Sequence, residues 1–332
     1  MASNSTPFLQ QPHLHTKAEH RAAVLTYPGN FRNALKQAQA DPKKTLFGVA
    51  HGIASVAVTK VLASAKPDFI WIDYEHAVFD RSSLYDAIHA AQHHSEGKTL
   101  VVVRVAKGDS VGLATALDAG ASAIVMPHTE TAEEVKEMIK EVFYPPLGQR
   151  SFSPWTFTPG ISNQSIYEGD EWNMKNSNNH VCLIPQIESV KGLKNIDEIA
   201  SVEGISGLMF GPGDFSADAG INFSLSAPPP QEFLEAMGTF FAGAKRHNLP
   251  VFAGAQSPAM IPMLIQQGCC ALAVVFDYWG VAQMVHDGVK AARAMVEGPA
   301  EGEKASNGTV PVATDSNGAT KTNGTTETNG SS

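Results

Sequence analysis

Two carboxylates in this sequence stand where they could share a cation. Glu188 lies in Pro185-Gln186-Ile187-Glu188-Ser189 and Asp214 in Gly211-Pro212-Gly213-Asp214. Each motif closes a short apolar run, 181–184 before the first and 207–210 before the second, and turn or helix-start residues follow. Two buried strands therefore deliver one carboxylate each to the same end of a sheet. Oxygen ligands in that position suit a hard cation such as Mg²⁺, which takes one or two carboxylates and fills its octahedron with water and substrate. The competing reading is local: Glu188 caps the helix that follows it, and Asp214 serves a turn.

The elements that must position these groups follow a regular rhythm. Apolar runs rich in Val and Ile fall at 46–50, 69–73, 100–105, 123–126, 181–185, 207–210, 251–254 and 271–276. Helical patterns follow them at 55–65, 82–94, 110–119, 131–142, 190–200, 231–247, 258–267 and 280–296. The runs are apolar throughout rather than alternating, as expected of parallel strands covered on both faces. Eight βα repeats in about 250 residues predict a TIM (β/α)8 barrel, an α/β fold. An open doubly wound sheet needs a glycine-rich fingerprint after an early strand, and the sequence has none.

The expected organisation is one barrel domain over 31–297, beginning with a short helix at 31–40. A loosely ordered arm at 1–30 precedes it. The segment 144–180 interrupts the rhythm and carries Phe152, Pro154, Trp155, Tyr167 and Trp172, which marks it as a lid-like insertion. Residues 298–332 turn to Gly, Ser, Thr and Asn and predict a disordered tail.

Bulk properties narrow the class. The chain has 332 residues, 43% hydrophobic and 17% charged, with a net charge of −9 and no Lys/Arg cluster, so nucleic acid is not an expected partner. Cys182, Cys269 and Cys270 form neither a disulfide framework nor a CxxC zinc site, which fits a reducing compartment. The first residues lack a secretory signal pattern, and no run reaches the roughly 18 apolar residues of a membrane span. The expectation is a cytoplasmic protein.

In a barrel of this type the active site lies at the C-terminal ends of the strands. The polar residues expected there are His51, the stretch Trp71-Ile72-Asp73-Tyr74-Glu75-His76, Arg104, His128, Gln186, Glu188 and Asp214. Arg104 within Val101–Val105 needs an anionic partner, either a substrate or a structural carboxylate. His76, following Asp73 and Glu75, is the candidate general acid/base. His51 and His128 read as structural, as do His89, His93 and His94, which have helical spacing but lie mid-helix. Asp118 closes the helical pattern after the third strand.

Several motifs together resemble the HpcH/HpaI aldolase family of metal-dependent pyruvate aldolases. They are Trp71–His76, Val103-Arg104, Leu117-Asp118-Ala119-Gly120-Ala121, Tyr144-Pro-Pro-Leu-Gly-Gln-Arg150, Pro185–Ser189 and Gly211–Asp214, in order and spacing from about Leu46 to Val296. The resemblance implies that Glu188 and Asp214 are the metal's protein ligands and that Arg104 contacts the oxo and carboxylate oxygens of a 2-oxo acid. It implies His76 as acid/base, Asp118 as the acid that orients it, Gln186 as a supporting group, and Gly213 and Asp214 as backbone donors. It implies Mg²⁺, with Mn²⁺ or another divalent cation as substitute, and a homo-oligomer, typically a hexamer. Further motifs, among them Gly48–Ile53 and Ser151–Phe157, resemble family members that decarboxylate oxaloacetate to a metal-bound pyruvate enolate and add it to a 2-pyrone, giving a benzoate. Trp71, Phe152 and Pro154 then wall the pocket, and Trp172 stands where those members carry a tyrosine. The alternative expectation is a reversible aldolase that cleaves 4-hydroxy-2-oxo acids to pyruvate and an aldehyde.

Overall fold

In a computed structural model of the chain, the described residues are 29–154, 156, 173–222, 228–255 and 257–297. The arm to residue 28, the tail from 298, and Trp155, Tyr167 and Trp172 of the insertion lie outside them.

The eight apolar runs form eight parallel strands in sequence order, closed by pairing of the last with the first. They are β1 (Leu46–His51), β2 (Phe69–Asp73), β3 (Leu100–Arg104), β4 (Ala123–Met126), β5 (Cys182–Ile187), β6 (Leu208–Phe210), β7 (Val251–Gly254) and β8 (Cys269–Phe276). The chain is a TIM barrel. Twelve helices are described: α1 (Phe31–Ala40), α2 (Val56–Ser64), α3 (Arg81–His94), α4 (Ser110–Ala119), α5 (Ala132–Val142), α6 (Met174–His180), α7 (Val190–Lys194), α8 (Ile196–Ala200), α9 (Pro212–Asp218), α10 (Gln231–Arg246), α11 (Ile261–Gln266) and α12 (Asp277–Glu297).

Alternation along the strands splits the apolar residues into two layers. Phe69, Val102, Val125, Ile184 and Phe252 fill the barrel interior with Trp71 above them, and Phe31 and Leu35 of α1 pack into the same cluster. Ile70, Val103, Ile124, Leu183 and Leu208 face outward beneath the helices. All three cysteines are free and buried. Burial pushes the Cys182, Cys269 and Cys270 thiols up to about 11, 12 and 11, so none supplies a thiolate at neutral pH.

Three local departures from the sequence pattern concern the site. Strand β5 continues through Pro185 to Ile187, which sets Gln186 opposite Met209 and Ile187 opposite Phe210 of β6. The helical stretch 190–200 is two short helices that meet at Asn195, whose side chain donates to the Glu130 carbonyl. The insertion is anchored at both ends, because Asn178 on α6 accepts from the Tyr144 N–H and donates to its carbonyl, both at 2.8 Å.

The sequence pattern of 280–296 becomes α12. Its residues to Gln283 belong to a first compact unit and those from Met284 to a second. In the second unit Met284, Val285, Met295 and Val296 are exposed. No helix among the described residues is long and apolar enough to cross a membrane.

His51 is buried and structural. Its Nδ1 lies 2.7 Å from Asp277 and its Nε2 lies 2.8 Å from Thr59. Asp277 also accepts from the Gly52 and Ile53 backbone N–H groups, tying the end of β1 to the end of β8. Removing one member of such a buried pair strands its partner without compensation. His51→Ala is expected to lower stability by about 3 kcal/mol in urea denaturation of the full chain; a change below about 1 kcal/mol contradicts this role.

Candidate active site

The C-terminal ends of β5 and β6 are joined by backbone: the Gly211 N–H donates to the Ile187 carbonyl at 3.0 Å. This link places Glu188, the residue after β5, beside Gly211-Pro212-Gly213-Asp214, which opens α9. Ser189, not Glu188, caps α7 by accepting from the Gly192 N–H at 3.0 Å. The capping role offered for Glu188 by the local reading is therefore filled by its neighbour.

Glu188 is 1% exposed. One carboxylate oxygen accepts from the His128 N–H at 2.6 Å and the other accepts from the Gln186 amide. Burial pushes the Glu188 carboxyl above its ordinary value; the His128 N–H and ring oppose this, and Asp214 adds to it. Ligand atoms of His128, Glu188 and Asp214 all lie within 4.8 Å of one another. Gln186 Oε1, buried beside them, has no hydrogen-bond partner among the described residues. Two carboxylates and an imidazole converging on one point, with an unsatisfied acceptor at its edge, fit a divalent cation and its water. A cation there removes the cost of a second negative charge.

Arg104 ends β3 beside this cluster. Its Nε and Nη2 donate to the two oxygens of Asp73 at 3.0 and 2.6 Å, and Nε lies 3.3 Å from Glu75. Although burial works against it, the Arg104 fork holds the Asp73 carboxyl below its ordinary value. Nη1 is not part of the Asp73 pair, so the guanidinium is oriented without being used up. The Arg104 guanidinium carbon sits 5.5 Å from the centre of the Trp71 ring. Trp71 is 7% exposed, and its Nε1 has no partner among the described residues.

Trp71, Arg104, Gln186, Gly213 and Asp214 line one cavity of about 440 Å³, together with apolar residues such as Met237 and Phe276. His76 sits in the turn after β2. Its backbone N–H donates to Asp73, and its Nε2 lies 3.7 Å from Glu75.

Asp118 is not brought to His76. It occupies the last turn of α4, about 12 Å along the axis from that helix's first residue at 1.5 Å per residue. There its Oδ1 accepts from Arg150 at 2.7 Å. Phe152 and Pro154 line a different hollow, of about 660 Å³, with Asp118 and Arg150. Trp172 lies outside the described residues. His128, which the sequence left as structural, is the addition. Its signal was the position Pro127-His128 at the end of β4.

Residues 51–277 match the model of a family described as HpcH/HpaI aldolase/citrate lyase. The chain belongs to this family. As a family member it is a carbon–carbon lyase of the pyruvate-aldolase type. The HpcH/HpaI chain is 28% identical over 264 residues to a hydroxypyruvate/pyruvate aldolase of Sagittula stellata, covering 80% of this chain and 96% of that one. It is 30% identical over 194 residues to an aldolase of the same name from Delftia acidovorans, covering 58% and 67%. Among solved structures, macrophomate synthase is similar at 58% identity with a TM-score of 0.81, over 88% of this chain and 99% of the other.

Gly211 is the tightest constraint on the acidic pair. A Cβ there would sit 2.2 Å from Glu188 Oε2 and 2.7 Å from Gln186 Nε2. Gly211→Ala must displace the buried carboxylate. It is expected to weaken Mn²⁺ binding by about tenfold or more, as measured by calorimetry; unchanged affinity contradicts placement of the cation at Glu188.

Proposed function

We propose that this lyase generates pyruvate enolate from oxaloacetate by decarboxylation at a divalent cation held by Glu188 and Asp214, with Mg²⁺ the expected metal. The convergence of those two carboxylates beside the oriented Arg104 carries the reading. A bound cation supplies electrophilic stabilisation of the charge that develops on the 2-oxo oxygen. Arg104 binds the carboxylate and oxo oxygens through the part of its fork not taken by Asp73. The backbone N–H groups of Gly213 and Asp214 receive the same carboxylate at the start of α9, which has no side-chain cap. Gln186 holds Glu188 in place, and Trp71 shields the reacting carbons from water. As the C3–C4 bond breaks, CO₂ departs and its electron pair passes into the enolate. His76 then supplies or removes a proton through its ring nitrogen, beside Glu75.

Onward addition of the enolate to a 2-pyrone, giving a benzoate, is the second part of the proposal. It draws support from the likeness to macrophomate synthase. A second reading, reversible cleavage of a 4-hydroxy-2-oxo acid to pyruvate and an aldehyde, is favoured by the named aldolase relatives. It uses the same cation, Arg104 and His76.

We also infer a homo-oligomer, the hexamer being the form implied by resemblance. The split of the expected site residues supports it: Trp71 and Arg104 line one hollow, Asp118, Phe152 and Pro154 another. In the oligomer Asp118 of one copy orients His76 of another. Exposed apolar residues in the first unit, Phe47, Val275, Tyr278 and Trp279, offer contact area. The free, buried cysteines suit the cytoplasm.

Purified protein with Mg²⁺ is expected to convert oxaloacetate to pyruvate above the metal-only rate, read by coupled pyruvate assay. EDTA and Glu188→Ala should each remove about 99% or more of that excess, the scale for loss of one electrostatic contributor. Cleavage of hydroxy-oxo acids without oxaloacetate turnover moves the reading to the aldolase. Turnover independent of Glu188 contradicts both.

A further inference from the structure

We infer that the Tyr278 hydroxyl contacts the substrate, donating a hydrogen bond to the C4 carboxylate of oxaloacetate, the one that leaves as CO₂. This rests on the reading that the site decarboxylates oxaloacetate, and names the group that receives the far end of that substrate.

The strand order brings Tyr278 to the site. Ala50 of β1 pairs with Phe276 of β8 on one side and with Trp71 of β2 on the other. β2 ends at Asp73, which pairs with Arg104 of β3. Tyr278 lies in the first turn of α12, two residues after β8. Its ring packs against Gly52, the residue after β1: a Cβ there would be 3.1 Å from Cδ1 and 3.2 Å from Cε1 of the ring. Next in the strand order stand Asp73 and Arg104, and the charges of both act on the Tyr278 phenol.

The backbone fixes this placement. The Tyr278 N–H donates to Asp277 Oδ1 at 2.8 Å. The same carboxylate accepts from the Gly52 and Ile53 N–H groups and meets buried His51, so the first turn of α12 is fastened to the end of β1. The Trp279 ring lies beside the phenol, 5.1 Å between centres. Tyr278 is 47% exposed, and its hydroxyl makes no hydrogen bond among the described residues. Burial, then the Asp73 and Asp277 carboxylates, push the phenol above its ordinary value against the pull of Arg104. It therefore carries its proton at neutral pH and can donate it to an acceptor.

The chemistry calls for such a donor. In the proposed reaction the cation, Arg104 and the α9 N–H groups take the C1 carboxylate and the 2-oxo oxygen, which leaves the C4 carboxylate to be received elsewhere. Its charge vanishes as the C3–C4 bond breaks: the electron pair passes into the enolate and CO₂ leaves neutral. A cation on that carboxylate stabilises the starting state more than the transition state. A neutral hydroxyl orients it with less of that penalty, and transfers no proton in the step.

Tyr278→Phe keeps a ring on Gly52 and removes only the hydroxyl. Steady-state kinetics of the full chain with Mg²⁺ compare it with wild type, using oxaloacetate as substrate and pyruvate, which has no C4 carboxylate, as competitive inhibitor. The expected result is a kcat/KM for oxaloacetate lowered about tenfold or more through KM, the scale of a hydrogen bond to a charged group. The pyruvate inhibition constant is expected to change by less than about twofold. An unchanged kcat/KM overturns the inference. So does a pyruvate constant that rises in parallel, because the hydroxyl then serves Arg104 and not the substrate. Wild type that turns over no oxaloacetate above the metal-only rate instead overturns the decarboxylase reading beneath it.

Discussion

The Glu188 carboxylate is buried at the rim of the barrel with a second carboxylate facing it, and the site is arranged around that fact. An isolated ionised carboxylate withdrawn from water is costly, and a like charge nearby adds to the cost. The protein meets part of this demand with the His128 N–H and the Gln186 amide, one on each oxygen. The remainder is an unmet requirement for positive charge. A divalent cation satisfies it, and the same cation is what a 2-oxo acid needs if electrons are to collect on its oxo oxygen.

Apart from the Gln186 amide, what aims Glu188 is backbone geometry. The register of β5 against β6 and the Gly211–Ile187 hydrogen bond bring the two strand ends together. The absence of a side chain at Gly211 leaves room for the carboxylate. Arg104 is prepared in a complementary way. Asp73 takes one edge of its fork, fixing the plane of the guanidinium at the cavity wall with Nη1 outside the pair. In the proposed reaction Glu188 and Asp214 would hold the cation and Arg104, which lines one cavity with Asp214, would hold the substrate anion. The proposed decarboxylation of an oxaloacetate dianion would draw on both charges.

Much of this was legible in the order of residues. Eight apolar runs without alternation specify parallel strands buried on both faces, and a barrel follows from their number. Glu188, Asp214 and Arg104 were visible because each interrupts or closes an apolar run with a charge. What escaped the sequence depends on relations between distant segments. His128 gave no sign in the sequence of its left-handed backbone or of its N–H bond to Glu188, sixty residues away. The break at Asn195 follows from a bond to Glu130, which no local pattern encodes. Resemblance joins Asp118 to His76; within one chain, helix direction carries Asp118 away from the rim and to Arg150, so that pairing needs a second copy. Phe152 of the insertion lies on a second hollow, beside Arg150 and Asp118.

Diffraction at the manganese edge from crystals soaked with Mn²⁺ and pyruvate tests the central claim most directly. The account predicts one strong anomalous peak between Glu188 and Asp214, with the pyruvate carboxylate turned toward Arg104. A peak elsewhere in the barrel, or pyruvate bound away from those two carboxylates, contradicts it.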